Sequence, residues 1–288
     1  MTKVQKRIYS YSFLLPAAII YLVIFILPTL LSFFFSMTRW TLFDYEFIGF
    51  DNYITFFNES SLNIGFRNTL IYAVVSCVLK LVLGLFLGVF LTSKIKTRNY
   101  LRSVLFFPTL VSTIAVGIAF SMMMHPTTGI INQALSMIGI SGPDWLGDTR
   151  IALLSVAMVD VWKGVGFSTV IFIAGIMSIP EEYYEALQID GGNGYNKFWS
   201  IIVPLSRPSM NTVIILSLVG GLRSFDLIWS MTGGGPGFTT DVIASIIYKQ
   251  YQGGFYGLAT AGNVILFIFV TALVYPLSTY LSRKEVDL

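Results

Sequence analysis

The chain has 288 residues, of which 55% are hydrophobic and 11% charged, with a net charge of +3. A soluble domain carries about a quarter charged residues, so this composition excludes a water-soluble globule and points to a bilayer as solvent. One cysteine, Cys77, and one histidine, His125, exclude an intrachain disulfide and a soft-metal site built from this chain alone, and the lack of a dense basic stretch with interleaved aromatics excludes nucleic acid as a partner.

A membrane-spanning helix needs about 20 mostly apolar residues. Six stretches meet that need: 13–37, 69–92, 104–124, 151–179, 212–231 and 255–281. The second contains Lys80, the fourth Asp160 and Lys163, and the fifth Arg223 near its far end. The first run is longer than the apolar core of a signal peptide, about 7–15 residues. Ser10 and Ser12 precede it and no small-residue cleavage site ends it, so it is expected to be retained. The expected fold is an all-α polytopic membrane protein with about six transmembrane helices, a single transmembrane domain over 1–288. No internal repeat is visible, which weakens the reading of an inverted-repeat carrier.

Lysine and arginine in short loops set orientation. Lys3, Lys6, Arg7, Lys94, Lys96, Arg98, Arg102, Lys197, Arg207, Arg283 and Lys284 fall on one side, and Arg39, Arg150 and Lys249 on the other. Both termini and the 178–208 loop are therefore expected to be cytoplasmic. The outer segments are 38–66, aromatic and acidic, 125–150, turn-rich, and 233–254, which opens on Gly233-Gly234-Gly235-Pro236-Gly237. They are either plain connections or a small outer surface for a partner.

The 178–208 loop is the most informative segment. Ser178 is a candidate N-cap, with Pro180 just inside and Glu181 and Glu182 complementing the helix dipole. A short amphipathic helix is expected through Ile189, then a turn at Gly191-Gly192-Asn193-Gly194, then a second short helix ending at Pro204. Such a unit can dock into a groove, or serve only as an amphipathic loop.

The residues of this loop resemble the signature of binding-protein-dependent ABC import permeases, E-A-A-x3-G-x9-I-x-L-P. Here it runs Glu185-Ala186-Leu187, Gly191, Ile201, Val203 and Pro204, with Leu187 and Val203 as apolar departures. Leu14-Leu15-Pro16, Ile48-Gly49-Phe50-Asp51-Asn52-Tyr53 and Gly233-Gly234-Gly235-Pro236 are similar to the sugar-importer branch, the maltose- and glycerol-phosphate-permease type. The resemblance implies a type I ABC importer permease architecture and a coupling helix held by an ATPase subunit. Glu185, Ala186, Gly191, Ile201 and Pro204 would lie at that joint. It also implies a second permease subunit, a dimer of ATP-binding subunits, an extracellular or periplasmic solute-binding protein, and a bacterial-type cytoplasmic membrane. No G-x-x-x-x-G-K-[ST] stretch occurs, so ATP with Mg is expected in a partner subunit and no cofactor in this chain. Covalent catalysis is not expected of it either.

Ionisable residues inside a membrane usually face a cavity or each other. Asp160, Lys163, Gly164 and Phe167 share one helical face, about 15 Å below the outer end of the span. On the fifth span Ser217, Gly221 and Ser224 share another. These faces suit a polyhydroxylated ligand; equally, Asp160 with Lys163 can be a neutralising pair and the small residues can serve close helix contact. In the family resemblance, anchored on Pro180 and Gly235-Pro236, substrate contacts would correspond to Asp160, Trp162, Lys163, Gly164, Phe167, Ser217, Gly221 and Ser224, with Trp162 off the helical stripe. Lys80 is read as paired with an acid or carbonyl of a neighbouring helix, and Arg223 and Asp226 as pointing away from the serine face, with pairing at a subunit interface as an option. The function expected is a permease subunit of an ATP-driven importer of a sugar or oligosaccharide. The alternatives are a permease for glycerol phosphate or another polar solute, and an ATP-independent secondary carrier.

Overall fold

A computed structural model describes residues 11–41, 43–93 and 95–283. Lys3, Lys6, Arg7, Ser10, Lys94 and Lys284 lie outside the described residues. In chain order, α1 (Leu15–Phe35) leads to a hairpin of β1 (Thr38–Trp40) and β2 (Tyr45–Phe47), then to α2 (Asp51–Asn58) and α3 (Ser60–Thr92). Next come α4 (Arg98–Leu110), α5 (Thr113–Met123), α6 (Ile130–Met137) and α7 (Ala152–Met177). The chain continues through α8 (Glu181–Ile189), α9 (Gly194–Leu205), α10 (Arg207–Leu222), α11 (Asp226–Thr232), α12 (Ile243–Gln252) and α13 (Tyr256–Ser282). Helices dominate because an apolar run in lipid can satisfy its backbone polar groups only internally.

Among the described residues, four helices are long and apolar enough to cross a membrane unaided: α1, α3, α7 and α13. Two bent pairs bring the number to six, α4 with α5 at 97° and α9 with α10 at 64°. The third expected span is thus broken, at Val111 and Ser112, whose ψ angles of 141° and 132° are extended. The fifth is displaced. Its membrane-length pair covers 194–222, and the expected 212–231 run is interrupted where Phe225 leaves helical geometry at φ −135°. Arg223 caps α10 and Asp226 opens α11, where a carboxylate complements the N-terminal dipole.

Two compact units are present. One comprises the chain up to Glu59 with Ile247–Phe267. In it the buried Asn52 amide donates to Ser36 O at 2.9 Å and Thr38 O at 2.8 Å, tying α2 to the start of the hairpin. Trp40 stacks on Phe35 at 4.6 Å. A cavity of about 930 Å³ is lined by Trp40, Asp51, Glu59, Gln250 and Phe255, among others. None of the most apolar window of α1 is buried within the chain.

The other unit comprises Ser60–Ile246 and the chain from Ile268. Here α3 packs along α7 and α10. Tyr72, Val156, Leu227 and Ile228 are at the centre of one apolar cluster. Phe172, Ile202 and Val213 belong to a second, and Cys77, Leu218 and Leu222 to a third. In lipid the drive for such packing is van der Waals contact and interhelical hydrogen bonds, so small residues at the contacts matter.

Candidate functional site

Two regions of the second unit carry polar chemistry. The first is the 178–208 loop. Ser178 does not begin α8. Its hydroxyl donates back to Gly175 O at 2.8 Å and ends α7, while Pro180, with ψ 142°, occupies the N-cap position. Proline suits the boundary because its fixed φ is compatible with helix entry and its missing N–H costs nothing there. Glu181 and Glu182 lie in the first turn, and α8 runs to Ile189 as expected.

Gly191 adopts φ +74°, a conformation that favours glycine, and reverses the chain. Asn193 then caps α9, its side-chain oxygen accepting from Tyr195 N at 3.0 Å and Asn196 N at 3.1 Å. The second helix does not stop at Pro204 but reaches Leu205. A wide π turn, Lys197–Ile202, precedes a single α turn, Val203–Leu205, and Pro204 stands at its start, where no N–H is required.

Glu185 and Ala186 are exposed on α8, whereas Ile201 is buried on α9. Ile201 therefore anchors the unit rather than presenting a contact. Phe198 stacks on Phe86 of α3 at 5.7 Å, which ties α9 to the transmembrane core. Lys197 Nζ stands 4.5 Å from the Tyr184 ring centroid, and burial raises the pKa of that phenol, keeping it neutral beneath the cation. A cavity of about 850 Å³ is lined by Thr92, Met177, Tyr184, Glu185, Lys197 and Phe198, among others.

The second region lies between the helices. Asp160 and Lys163 are neighbours on α7 but do not pair. Asp160 Oδ2 is held by Lys80 Nζ of α3 at 2.7 Å, an ion pair whose side chains are 23% and 10% exposed. Lys163 turns instead to the end of α4, where Nζ donates to Thr109 O at 3.4 Å and Thr109 Oγ1 donates to Lys163 O at 3.0 Å. A cation near the C-terminal carbonyls of a helix is favourably placed. Gly164 provides room for Lys80, since a Cβ there would stand 2.7 Å from Lys80 Cε. Gly221 likewise allows α10 to meet α3, a Cβ being 2.6 Å from Ala73 Cα. Both glycines have packing work.

Phe167 and Trp162 are half-exposed, and Trp162 lies against the Phe120 ring at 5.0 Å, away from the Asp160 stripe as two residues of helical rotation require. Ser217 is buried on α10. Ser224 is not on that helical face, because α10 ends at Leu222; it sits in the break before α11. Arg223 and Asp226 are exposed and form no ion pair with each other.

Sequence reasoning missed Tyr72 and Ser76. With Lys80 they recur every four residues along one face of α3. Ser76 is buried near Gly221, and Tyr72 is wholly buried in the apolar cluster of this unit. The four-residue spacing was the available signal.

Ionisable groups inside spanning helices pair with one another or face a cavity, and Lys80 with Asp160 does the first; the class of the chain, a membrane transport subunit, is shown by its relatives. The chain belongs to the family described as binding-protein-dependent transport system inner membrane component, whose profile matches residues 80–285. It is similar to the probable ABC transporter permease protein YurN of Bacillus subtilis, 33% identical over 289 residues, covering 98% of this chain and 99% of that one. The trehalose/maltose transport system permease protein MalF of Thermococcus litoralis is 33% identical over 270 residues, covering 93% and 92%. Among solved structures, a bacterial ABC transporter involved in the import of the acidic polysaccharide alginate matches at a TM-score of 0.84 and 25% identity, over 95% of this chain and 94% of that one. The architecture is that of a type I ABC importer permease.

Proposed function

We propose that this chain is one permease subunit of an ATP-driven importer of a sugar or oligosaccharide, acting as a single permease domain that supplies half of the translocation pathway. The observation that carries the reading is the helix–glycine turn–helix of 181–205, with Glu185 and Ala186 exposed on its first helix, in a chain of this family. The sugar class is supported by the relatives, which include trehalose/maltose, multiple-sugar and arabinooligosaccharide permeases. These relatives favour the sugar reading over glycerol phosphate or an ATP-independent carrier.

In this reading the 178–208 loop and both termini face the cytoplasm of a bacterial-type cell membrane. A dimer of ATPase subunits, using ATP with Mg, grips Glu185 and Ala186, while Gly191, Ile201 and Pro204 hold the shape of the joint. A second permease completes the pathway and a solute-binding protein delivers the sugar to the outer loops. Asp160, Ser217 and Ser224 offer polar groups to sugar hydroxyls and Phe167 an aromatic face, with Trp162 and Lys163 at the margins and Gly164 and Gly221 keeping the helices close. This chain itself binds no cofactor and performs no covalent step.

The test is ATP hydrolysis by the reconstituted assembly with its binding protein, against a panel of sugars, glycerol phosphates and amino acids. Stimulation by a sugar class alone is the expected result. Equal rates with every solute, and no ATPase subunit co-purifying, would overturn the reading.

A further inference from the structure

α4 opens at the same end of the bundle as the 178–208 loop. Arg102 Nη2 donates to Leu91 O, near the end of α3, at 3.2 Å and stands 3.8 Å from Met177 Sδ at the end of α7. From there α4 runs back along α7, and near its other end Thr109 Oγ1 donates to Lys163 O at 3.0 Å. One face of α4 is thus taken by α7, and the opposite face is open. Tyr100, Val104 and Phe107, at helical offsets of zero, four and seven, are 71%, 49% and 64% exposed, and Leu110 beyond them is exposed as well. From Tyr100 to Leu110 the helix rises about 15 Å at 1.5 Å per residue. That is half of a hydrocarbon core about 30 Å thick, the depth of one leaflet. The helix ends there, at the 97° bend into α5.

Cations gather at the outer tip of this stripe. Lys94, Lys96, Arg98 and Arg102 fall within nine residues, and no Asp or Glu occurs between Glu59 and Asp144. Lys96 and Arg98 are exposed and form no ion pair among the described residues. Orientation of the chain calls for such cations, but it does not call for an open apolar stripe one leaflet deep beside them. A zwitterionic headgroup brings its own cation to its phosphate. An anionic one leaves its charge for the protein, and each Lys or Arg near the membrane surface strengthens the attraction. Uncancelled cations first, then aromatic and aliphatic surface over the length of an acyl chain, match the order of parts in one anionic lipid molecule.

We propose that Lys96 and Arg98, with the stripe of Tyr100, Val104 and Phe107, form a binding site for an anionic phospholipid. The headgroup meets the two cations and one acyl chain lies along α4. Arg102 is engaged by Leu91 O and is not needed for the contact. The lipid covers the face of α4 opposite its contact with Lys163. The proposal goes beyond the importer reading and does not depend on which solute is moved.

The experiment uses the whole assembly in detergent, with a phosphatidylglycerol carrying a photoreactive acyl chain as the probe. Labelled peptides are mapped by mass spectrometry. Label is expected within residues 98–110. Excess phosphatidylglycerol is expected to compete it away, whereas phosphatidylcholine and inorganic phosphate at the same concentration are not. Lys96→Gln with Arg98→Gln is expected to cut labelling of that segment at least about tenfold. Lys96→Arg with Arg98→Lys keeps both charges and is expected to restore it. No label in 98–110 overturns the proposal. Equal competition by phosphatidylcholine also overturns it and makes the face ordinary lipid-facing surface. Competition by inorganic phosphate overturns it in favour of a free-anion site. Unchanged labelling of the glutamine variant, with its ATPase subunits lost, overturns it in favour of a subunit contact. If the glutamine variant does not insert, the competition series on the unaltered assembly decides alone.

Discussion

Asp160 and Glu185 are each a single carboxylate on a helix, and their surroundings are opposite. Asp160 lies between packed helices, where Lys80 meets it at 2.7 Å and Gly164 clears the path for the lysine stem. Glu185 stands exposed on α8, at the rim of a cavity of about 850 Å³, with no ion pair among the described residues. An ion inside a membrane is costly unless it is matched, whereas a solvated one carries no such demand and stays free for a partner. The contrast separates a charge that organises the interior from one that is offered outward.

That comparison can be broken most directly at Lys80. Lys80→Met strands Asp160, and loss of one partner of a buried ion pair costs about 3–5 kcal/mol. The expected result is a large fall in the thermal midpoint of the detergent-purified protein, largely reversed by adding Asp160→Asn. A midpoint unchanged by Lys80→Met shows that the pair contributes nothing to the interior. Glu185→Lys is the outward counterpart. An exposed substitution of this kind shifts stability by roughly 0.5 kcal/mol or less, so insertion and thermal midpoint are expected to stay as they were. Sugar-stimulated ATP hydrolysis by the assembly is expected to fall at least about tenfold, by reversal of charge at one contact. Stimulation that survives the substitution counts against Glu185 as a coupling contact.

The smallest effect is expected at the hairpin. Arg39 Nη1 and Glu46 Oε2 form an ion pair at 3.1 Å, with side chains 69% and 68% exposed. Glu46→Gln is expected to move the thermal midpoint barely beyond error, since exposed pairs contribute under about 1 kcal/mol. A shift as large as that of Lys80→Met would mean that exposure is not what separates the two pairs.

Much of the architecture was legible along the chain. Apolar length against bilayer thickness is a local property, and it located α1, α7 and α13 to within a few residues, and the end of α3 but not its start, which lies at Ser60 rather than 69. Glycine and proline placement marked the turn at Gly191 and the two short helices around it, because backbone restriction acts residue by residue. The EAA-like spacing of Glu185, Ala186 and Gly191 pointed to the family that residues 80–285 then matched. Hydropathy could not show the break at 223–225 or the 97° bend after α4, since an apolar run reads alike whether straight or folded back.

What lay beyond the sequence were the pairings. Asp160 has Lys163 within one turn, yet its partner is Lys80, 80 residues away. Helical spacing reports which residues share a face but not which face meets which. Only packing α3 against α7 and α10 assigned Lys80 to Asp160, gave Gly164 and Gly221 their close approaches, and buried Tyr72. The sequence by itself determined a membrane chain and its exposed helix–turn–helix, which depend on local length, charge and backbone freedom. The tertiary structure alone decided how the interior charges are matched, because that depends on contacts between helices far apart in the chain.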